Sequence, residues 1–251
     1  MKPFAQLLAI GLLLCSCSQA QVKEYGVRVV KEFPHDTGAY TQGLFFHEGV
    51  LYETTGQYGD SSIRTVDLET GEPVLLKKLN NKYFGEGSVI LDGVLYVLTW
   101  TNKVAFRYKP ENLAYQSTVS YPREGWGITT DGKQLIASDG SATLYFMDKE
   151  MKVLRRVKVT LNGRPLRNLN ELEWIDGRVW ANVYLTDMLV IIDPESGKVE
   201  ATVDCKGLLP EKLRSYGTDV LNGIARDAGG RLYLTGKNWP RLYQVELVKK
   251  K

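Results

Sequence analysis

Short apolar runs rich in Val, Leu, Ile, Tyr and Thr recur along the chain, punctuated by Asp-Gly, Glu-Gly and Ser-Gly pairs. That pattern reads as β-strands joined by tight turns. No segment sustains the period of a long helix; only LLPEKLRSYG, residues 208–217, suggests a helical turn. The runs can be laid over one another: GLFFHEGVLYETTG from Gly43, GSVILDGVLYVLTW from Gly87, GITTDGKQLIASDG from Gly127, ELEWIDGRVWANVY from Glu171 and GIARDAGGRLYLTGK from Gly223. Successive starts lie 44, 40, 44 and 52 residues apart. Each hairpin is followed by a third apolar run, and the first four repeats add a fourth, such as PVLLKKL or VLRRVKVTL.

Repeats of this length with four strands each predict an all-β fold, a five-bladed β-propeller. The fifth repeat stops at its third strand. The run YGVRVVKEF, Tyr25 to Phe33, precedes the first repeat and is expected to complete the last blade and close the ring. Closure would leave only short, protected edges. In such a fold the first strand of each blade lines a central channel. The residues just before those strands are Gln42, Glu86, Trp126, Asn170 and Asn222. The second strands return to the same mouth at Gly56, Trp100, Gly140, Tyr184 and Lys237. A purely structural ring would repeat one residue type. This one mixes an acid, amides, aromatics and a lysine, so a site is expected at that mouth.

Composition narrows the partners. Hydrophobic residues make up 43% of the 251 positions and charged residues 24%, with a net charge of +3 and no basic cluster beyond the C-terminal lysines. Nucleic acid is therefore not an expected partner. At the N-terminus Lys2 is followed by LLAIGLLLC, Leu7 to Cys15, which is too short to span a bilayer and reads as a signal-peptide core. Residues 1–20 are set apart as this leader, and residues 22–251 as a single propeller domain. Two processing sites compete: SQA before Gln21, and LCSC, whose Cys17 resembles a lipidated bacterial lipobox cysteine. Either implies export, to the periplasm or as an outer-membrane-anchored lipoprotein of a Gram-negative bacterium. Only Cys205 then remains, which excludes an internal disulfide and reads as a small core residue.

The chemistry open to this mouth is limited. It holds one carboxylate without a second, which argues against paired-acid glycoside hydrolysis. The two histidines, His35 and His47, fall outside both rings, so neither a Ser-His-Asp triad nor a histidine-rich zinc site has support. No phosphate loop or dinucleotide fingerprint is present. Phe84, Trp100 and Trp126 beside Glu86 would desolvate its carboxyl and raise its pKa towards values useful for moving protons. Lys237, Gln42 and Asn170 are suited to holding an oxygen on which negative charge develops.

The blocks FPHDTGAYTQGL, YFGEGSVILDGVLYVLTW, EGWGITTDG, LNELEWIDGRVWANVYLTD, LNGIA and TGKNWPRLY, in that order, resemble the plant and bacterial glutaminyl-peptide cyclotransferases. The resemblance runs from about Val27 to Leu247. It implies a five-bladed propeller that acts as an aminoacyltransferase, converting N-terminal glutamine of peptides and proteins to pyroglutamate with release of ammonia, without metal or other cofactor. It implies that Glu86 is the proton-transfer residue. Gln42, Asn170 and Lys237 would bind the substrate's amide or backbone oxygens, and Phe84, Trp100 and Trp126 would form an aromatic pocket. Tyr184 stands where plant members tend to carry tryptophan, and Tyr40 replaces a commoner phenylalanine; both are placed with the substrate-binding set. Asn222 either binds substrate or ties its loop. A monomer is expected. Two other readings stay open: a calcium-dependent propeller lactonase, because Glu86, Asn170 and Asn222 share one mouth, and a propeller that only displays a binding surface.

Overall fold

The computed structural model describes residues 21–250. The expected leader, residues 1–20, lies outside the described residues. The chain begins with β1 (Lys23–Pro34) and continues as a succession of antiparallel strands. β2 (Thr41–His47), β3 (Val50–Thr55), β4 (Ser62–Val66) and β5 (Pro73–Lys78) form one four-stranded sheet. β6 (Gly85–Leu91), β7 (Val94–Thr99), β8 (Val104–Tyr108) and β9 (Tyr115–Ser120) form a second. β10 (Ile128–Thr130), β11 (Leu135–Ala137), β12 (Thr143–Met147) and β13 (Val153–Lys158) form a third. A small hairpin, β14 (Thr160–Leu161) and β15 (Arg164–Pro165), follows. β16 (Leu169–Ile175), β17 (Arg178–Val183), β18 (Met188–Ile192) and β19 (Val199–Asp204) come next. The chain ends with β20 (Leu221–Arg226), β21 (Leu232–Gly236) and β22 (Arg241–Lys249). The helical turn expected near residues 208–217 is a 3₁₀ turn at Glu211–Leu213.

β1 pairs antiparallel with β22, from Tyr25↔Lys249 to Pro34↔Arg241, as expected for the run Tyr25–Phe33. It does something further. Its first residues, Lys23 to Gly26, also pair in parallel with Ala201 to Asp204 of β19. The last two strand groups thereby become one eight-stranded sheet, β16-β17-β18-β19-β1-β22-β21-β20. The first strands of the groups neighbour one another in a cycle: β2 lies against β6 and β20, β10 against β6 and β16, and β16 against β20.

Local chemistry explains the hairpins. Glu48-Gly49, Asp92-Gly93 and Asp176-Gly177 are two-residue loops with positive φ at both positions, 49° and 80°, 49° and 71°, and 49° and 76°. Such turns match the strands' twist and favour Asp-Gly. Apolar side chains on the two faces of each group then meet those of its neighbours. Phe45, Tyr52 and Ile63 pack with Ile90, Leu95 and Phe106, and Val89, Tyr96 and Leu98 with Ile128, Leu135 and Met147. At the seam, Phe33, Leu44 and Leu51 pack with Ala225, Tyr233 and Leu242. Trp180 and Cys205 sit in the core between β16–β19 and β20–β22, where burial pushes the Cys205 thiol up to about 12.

Candidate active site

At the mouth the inner strands do not pair regularly. The ladder β2–β3 slips between Thr41 and Gly43, β6–β7 between Gly85 and Ser88, β16–β17 between Leu169 and Leu172, and β20–β21 between Leu221 and Ile224. Each bulge contains a residue of the first ring: Gln42, Glu86, Asn170 and Asn222. Bulges re-aim side chains, and here Gln42, Glu86 and Asn170 reach one cavity. A shared backbone bond brings the second ring alongside. The N–H of Gly56 donates to Tyr40 O at 2.8 Å, that of Trp100 to Phe84 O at 3.1 Å, that of Tyr184 to Asn168 O at 2.8 Å and that of Lys237 to Val220 O at 2.9 Å. The glycines of the second ring make room: a Cβ on Gly56 would lie 2.3 Å from the Phe84 ring, and one on Gly140 2.6 Å from the Trp126 indole.

A cavity of about 190 Å³ results, lined by Tyr40, Gln42, Gln57, Phe84, Glu86, Trp100, Trp126, Asn170, Tyr184 and Lys237. Glu86 is buried, and burial pushes its pKa well above the usual carboxylate range. The Lys237 charge partly opposes that rise, and the Glu124 charge adds to it. No hydrogen bond holds the Glu86 carboxylate among the described residues. Lys237 is buried too, and desolvation lowers its pKa against the pull of Glu86 and Asp219. Its ammonium sits over the rings of Tyr40 and Tyr184, 4.7 and 4.8 Å from their centroids. Tyr184 thus does more than shape a wall: it faces the lysine and meets Trp126 edge-on at 5.5 Å. Tyr40 donates to Asp219 Oδ2 at 2.8 Å, and burial with that bond raises its pKa.

One expected residue stands elsewhere. Asn222 does not line the cavity; it is fully buried behind it. Its Nδ2 donates to Thr41 O at 2.9 Å and to Gln42 Oε1 at 3.2 Å. Because a carbonyl can only accept, the first bond sets the orientation of the Asn222 amide, and the second then turns the Gln42 oxygen away. The Gln42 Nε2 protons are left for the cavity. Of the two roles open to Asn222, the geometry is that of tying and orienting. Asn170 Oδ1 is buried without a partner, an unpaired acceptor on the wall.

Three contributors were not anticipated. Gln57 lines the cavity one position past the second ring, with φ of 88°. Glu124 Oε2 accepts from Trp100 Nε1 at 3.0 Å and from Trp126 Nε1 at 3.2 Å, pinning two walls with one carboxylate. Asp219 holds Tyr40, and its backbone O accepts from Trp239 Nε1 at 2.8 Å. His35 is structural but far from exposed. It bonds Trp239 O at 2.7 Å and Glu53 Oε1 at 3.0 Å, and Glu53 also accepts from Thr41 Oγ1 at 2.7 Å. Asp139 caps a turn, accepting from Ser141 N at 3.1 Å and Tyr145 OH at 2.8 Å.

The profile of a known family, glutamine cyclotransferase, matches residues 5–247. The chain belongs to the glutamine cyclotransferase family. It is 45% identical over 227 residues to the glutaminyl-peptide cyclotransferase of Arabidopsis thaliana, covering 88% of this chain and 71% of the relative. Its structure is similar to that of the Myxococcus xanthus glutaminyl cyclase, with a TM-score of 0.86 at 33% identity, over 92% of this chain and 100% of the other. An aldose sugar dehydrogenase from Streptomyces coelicolor shares only the fold, with a TM-score of 0.58 at 14% identity over 92% and 99% of the two chains. Asn222 Nδ2 is directed to Gln42, and among the described residues no group of three His, Cys, Asp or Glu is placed to hold a metal ion.

Proposed function

We propose that the chain is a glutaminyl-peptide cyclotransferase, a five-bladed β-propeller closed by its N-terminal strand, acting on peptides and proteins that begin with glutamine. The observation that carries the reading is Glu86, a desolvated carboxylate without a hydrogen bond among the described residues, in a cavity of about 190 Å³ that also holds the buried Lys237. The substrate's α-amine nitrogen attacks its own side-chain amide carbon and closes a five-membered ring. Glu86 takes the proton released by that nitrogen. The carbon–nitrogen bond of the former amide breaks, Glu86 returns the proton to the departing nitrogen, and ammonia leaves. No water is consumed. The Gln42 amide protons and the Lys237 ammonium are suited to the oxygen that gains charge as the amine adds. Asn170 Oδ1 offers an acceptor to a substrate N–H. The aromatic walls hold amine and amide in the ring-closing geometry, and for an intramolecular reaction orientation supplies much of the acceleration.

The reading includes further proposals. The chemistry runs without metal, so chelation with EDTA leaves the rate unchanged; a loss restored by calcium would favour the lactonase. The five packed interfaces and the pairing of β1 with β22 support the propeller. The apolar leader supports export, with Cys17 lipidation or cleavage before Gln21, and the protein is proposed to work as a monomer. The mass of the mature N-terminus decides the processing site. The decisive experiment is ammonia release from a Gln-initiated peptide by wild type and Glu86→Gln. Absence of pyroglutamate with the wild type overturns the function; full activity of the variant overturns the role of Glu86.

A further inference from the structure

Resting on the cyclotransferase reading, we infer that Gln57, Tyr58 and Trp100 form the binding subsite for the residue that follows the N-terminal glutamine, and that this subsite selects a large apolar side chain over an acidic one. Phe84, Gln42, Glu86 and Lys237 are buried, so a bound peptide can leave the cavity only past its more open rim. Two large aromatics stand there, with Tyr58 51% and Trp100 37% exposed. Both are braced. Tyr58 meets the Phe84 ring edge-on at 5.4 Å, and its hydroxyl shares a hydrogen bond with Thr101 Oγ1 at 3.3 Å. Trp100 meets the same Phe84 ring at 5.6 Å, and its indole N–H is held by Glu124. Two exposed rings leaning on one cavity-lining ring make a preorganised shelf that continues the aromatic wall outward, and preorganised apolar area binds at low entropic cost.

The loop that carries this shelf is fastened tightly. Gln57 O accepts from Asp60 N at 3.2 Å, from Ser61 N at 2.9 Å and from Ser61 Oγ at 2.7 Å. Ser61 Oγ in turn accepts from Gly85 N at 2.9 Å, next to Glu86. These bonds hold Gln57 at a φ of 88°, which L residues rarely adopt. Backbone strain of this kind persists where the surroundings over-determine it, and such places cluster at ligand clamps. The Gln57 side-chain amide offers a donor and an acceptor at the rim, which is what the peptide group after glutamine presents. The Glu124 carboxylate borders the shelf and repels an acidic second residue.

The test is kcat/KM for Gln-Phe, Gln-Gly and Gln-Glu peptides with wild type, Tyr58→Ala, Tyr58→Phe and Glu124→Gln. Wild type is expected to prefer Gln-Phe over Gln-Gly by about tenfold, the scale of one aromatic packing contact. Tyr58→Ala should lower that ratio by about fivefold, and Tyr58→Phe should keep most of it, given the same contact scale. Glu124→Gln should raise the rate on Gln-Glu relative to Gln-Gly. Turnover of Gln-Gly with no preference for Gln-Phe, or a ratio unchanged in Tyr58→Ala, overturns the subsite and leaves the cyclotransferase reading intact. Failure to cyclise any of the peptides overturns both.

Discussion

Glu86 in β6 and Glu171 in β16 stand near the starts of two inner strands of the same architecture, and both are buried carboxylates with pKa values raised by desolvation. Their surroundings divide them. Glu171 stands one residue deeper in its bulge, and both its oxygens are used: Oε1 accepts from Leu44 N at 3.3 Å and Oε2 from Ile224 N at 2.9 Å. It ties three inner strands, β2, β16 and β20, together beneath the mouth. Glu86 has no such bonds and faces a cavity and a lysine. A buried carboxylate whose lone pairs are occupied by backbone donors is a structural member. One left unpaired where a substrate fits is available to move a proton. Burial alone does not tell them apart.

Variants of Glu86, Glu171 and Asn222 and the pH dependence of the wild type would break or sharpen that contrast. Glu86→Gln should lower the rate of ammonia release by about 10²–10⁴-fold, the usual scale for a lost acid–base group. Its melting temperature should not fall, since no hydrogen bond is lost and the cost of burying a charge is removed. Glu171→Ala should do the reverse: urea unfolding should show a loss of about 2–4 kcal/mol from two stranded N–H groups, while the folded enzyme keeps its acid–base chemistry. A variant of Glu171 that is fully stable but inactive would erase the distinction.

The pH dependence comes next in size. Glu86 accepts a proton only when ionised, so the acid limb of kcat should lie well above the ordinary glutamate value of about 4.3. Stability has the opposite sign. With its folded pKa raised, the native state binds more protons than the unfolded chain once pH exceeds the unfolded value, so the contribution of Glu86 is full below that value and is lost as pH rises to the folded one. Urea midpoints of wild type should therefore fall relative to Glu86→Gln as pH rises above the unfolded glutamate value; parallel curves would mean that Glu86 is not desolvated. The smallest effect belongs to Asn222→Ala, which frees the Gln42 amide to turn. KM should rise by about fivefold, the scale of one lost hydrogen bond, with kcat less affected. An unchanged KM would remove the positioning role.

Much of this was readable along the chain because it follows from short-range chemistry. Turn pairs such as Asp92-Gly93 and Asp176-Gly177 define hairpin registers, and register in turn defines which residues reach the mouth. Counting from those turns brought Gln42, Glu86, Trp126, Asn170, Trp100, Tyr184 and Lys237 to one opening, and they line one cavity. What escaped the counting depends on contacts between separate strand groups. Glu124 carries no periodic signal; it matters because two indoles from different groups converge on it. Gln57 is one residue off the ring, and only its left-handed backbone turns it inward. Asn222 occupies an equivalent ring position, but the neighbouring Thr41 carbonyl claims its amide.

By itself, the sequence determined the strands, their hairpins, the mouth at which unlike residues gather and the family to which they belong, because each rests on turn chemistry, alternation or motif. The tertiary structure decided how those residues divide their work. The direction of the Gln42 amide, the exposure of the Glu86 carboxylate to a cavity and the occupation of Glu171 by backbone donors all depend on partners far apart in the chain. Those partners meet only when the sheets pack and the last strand group meets the first.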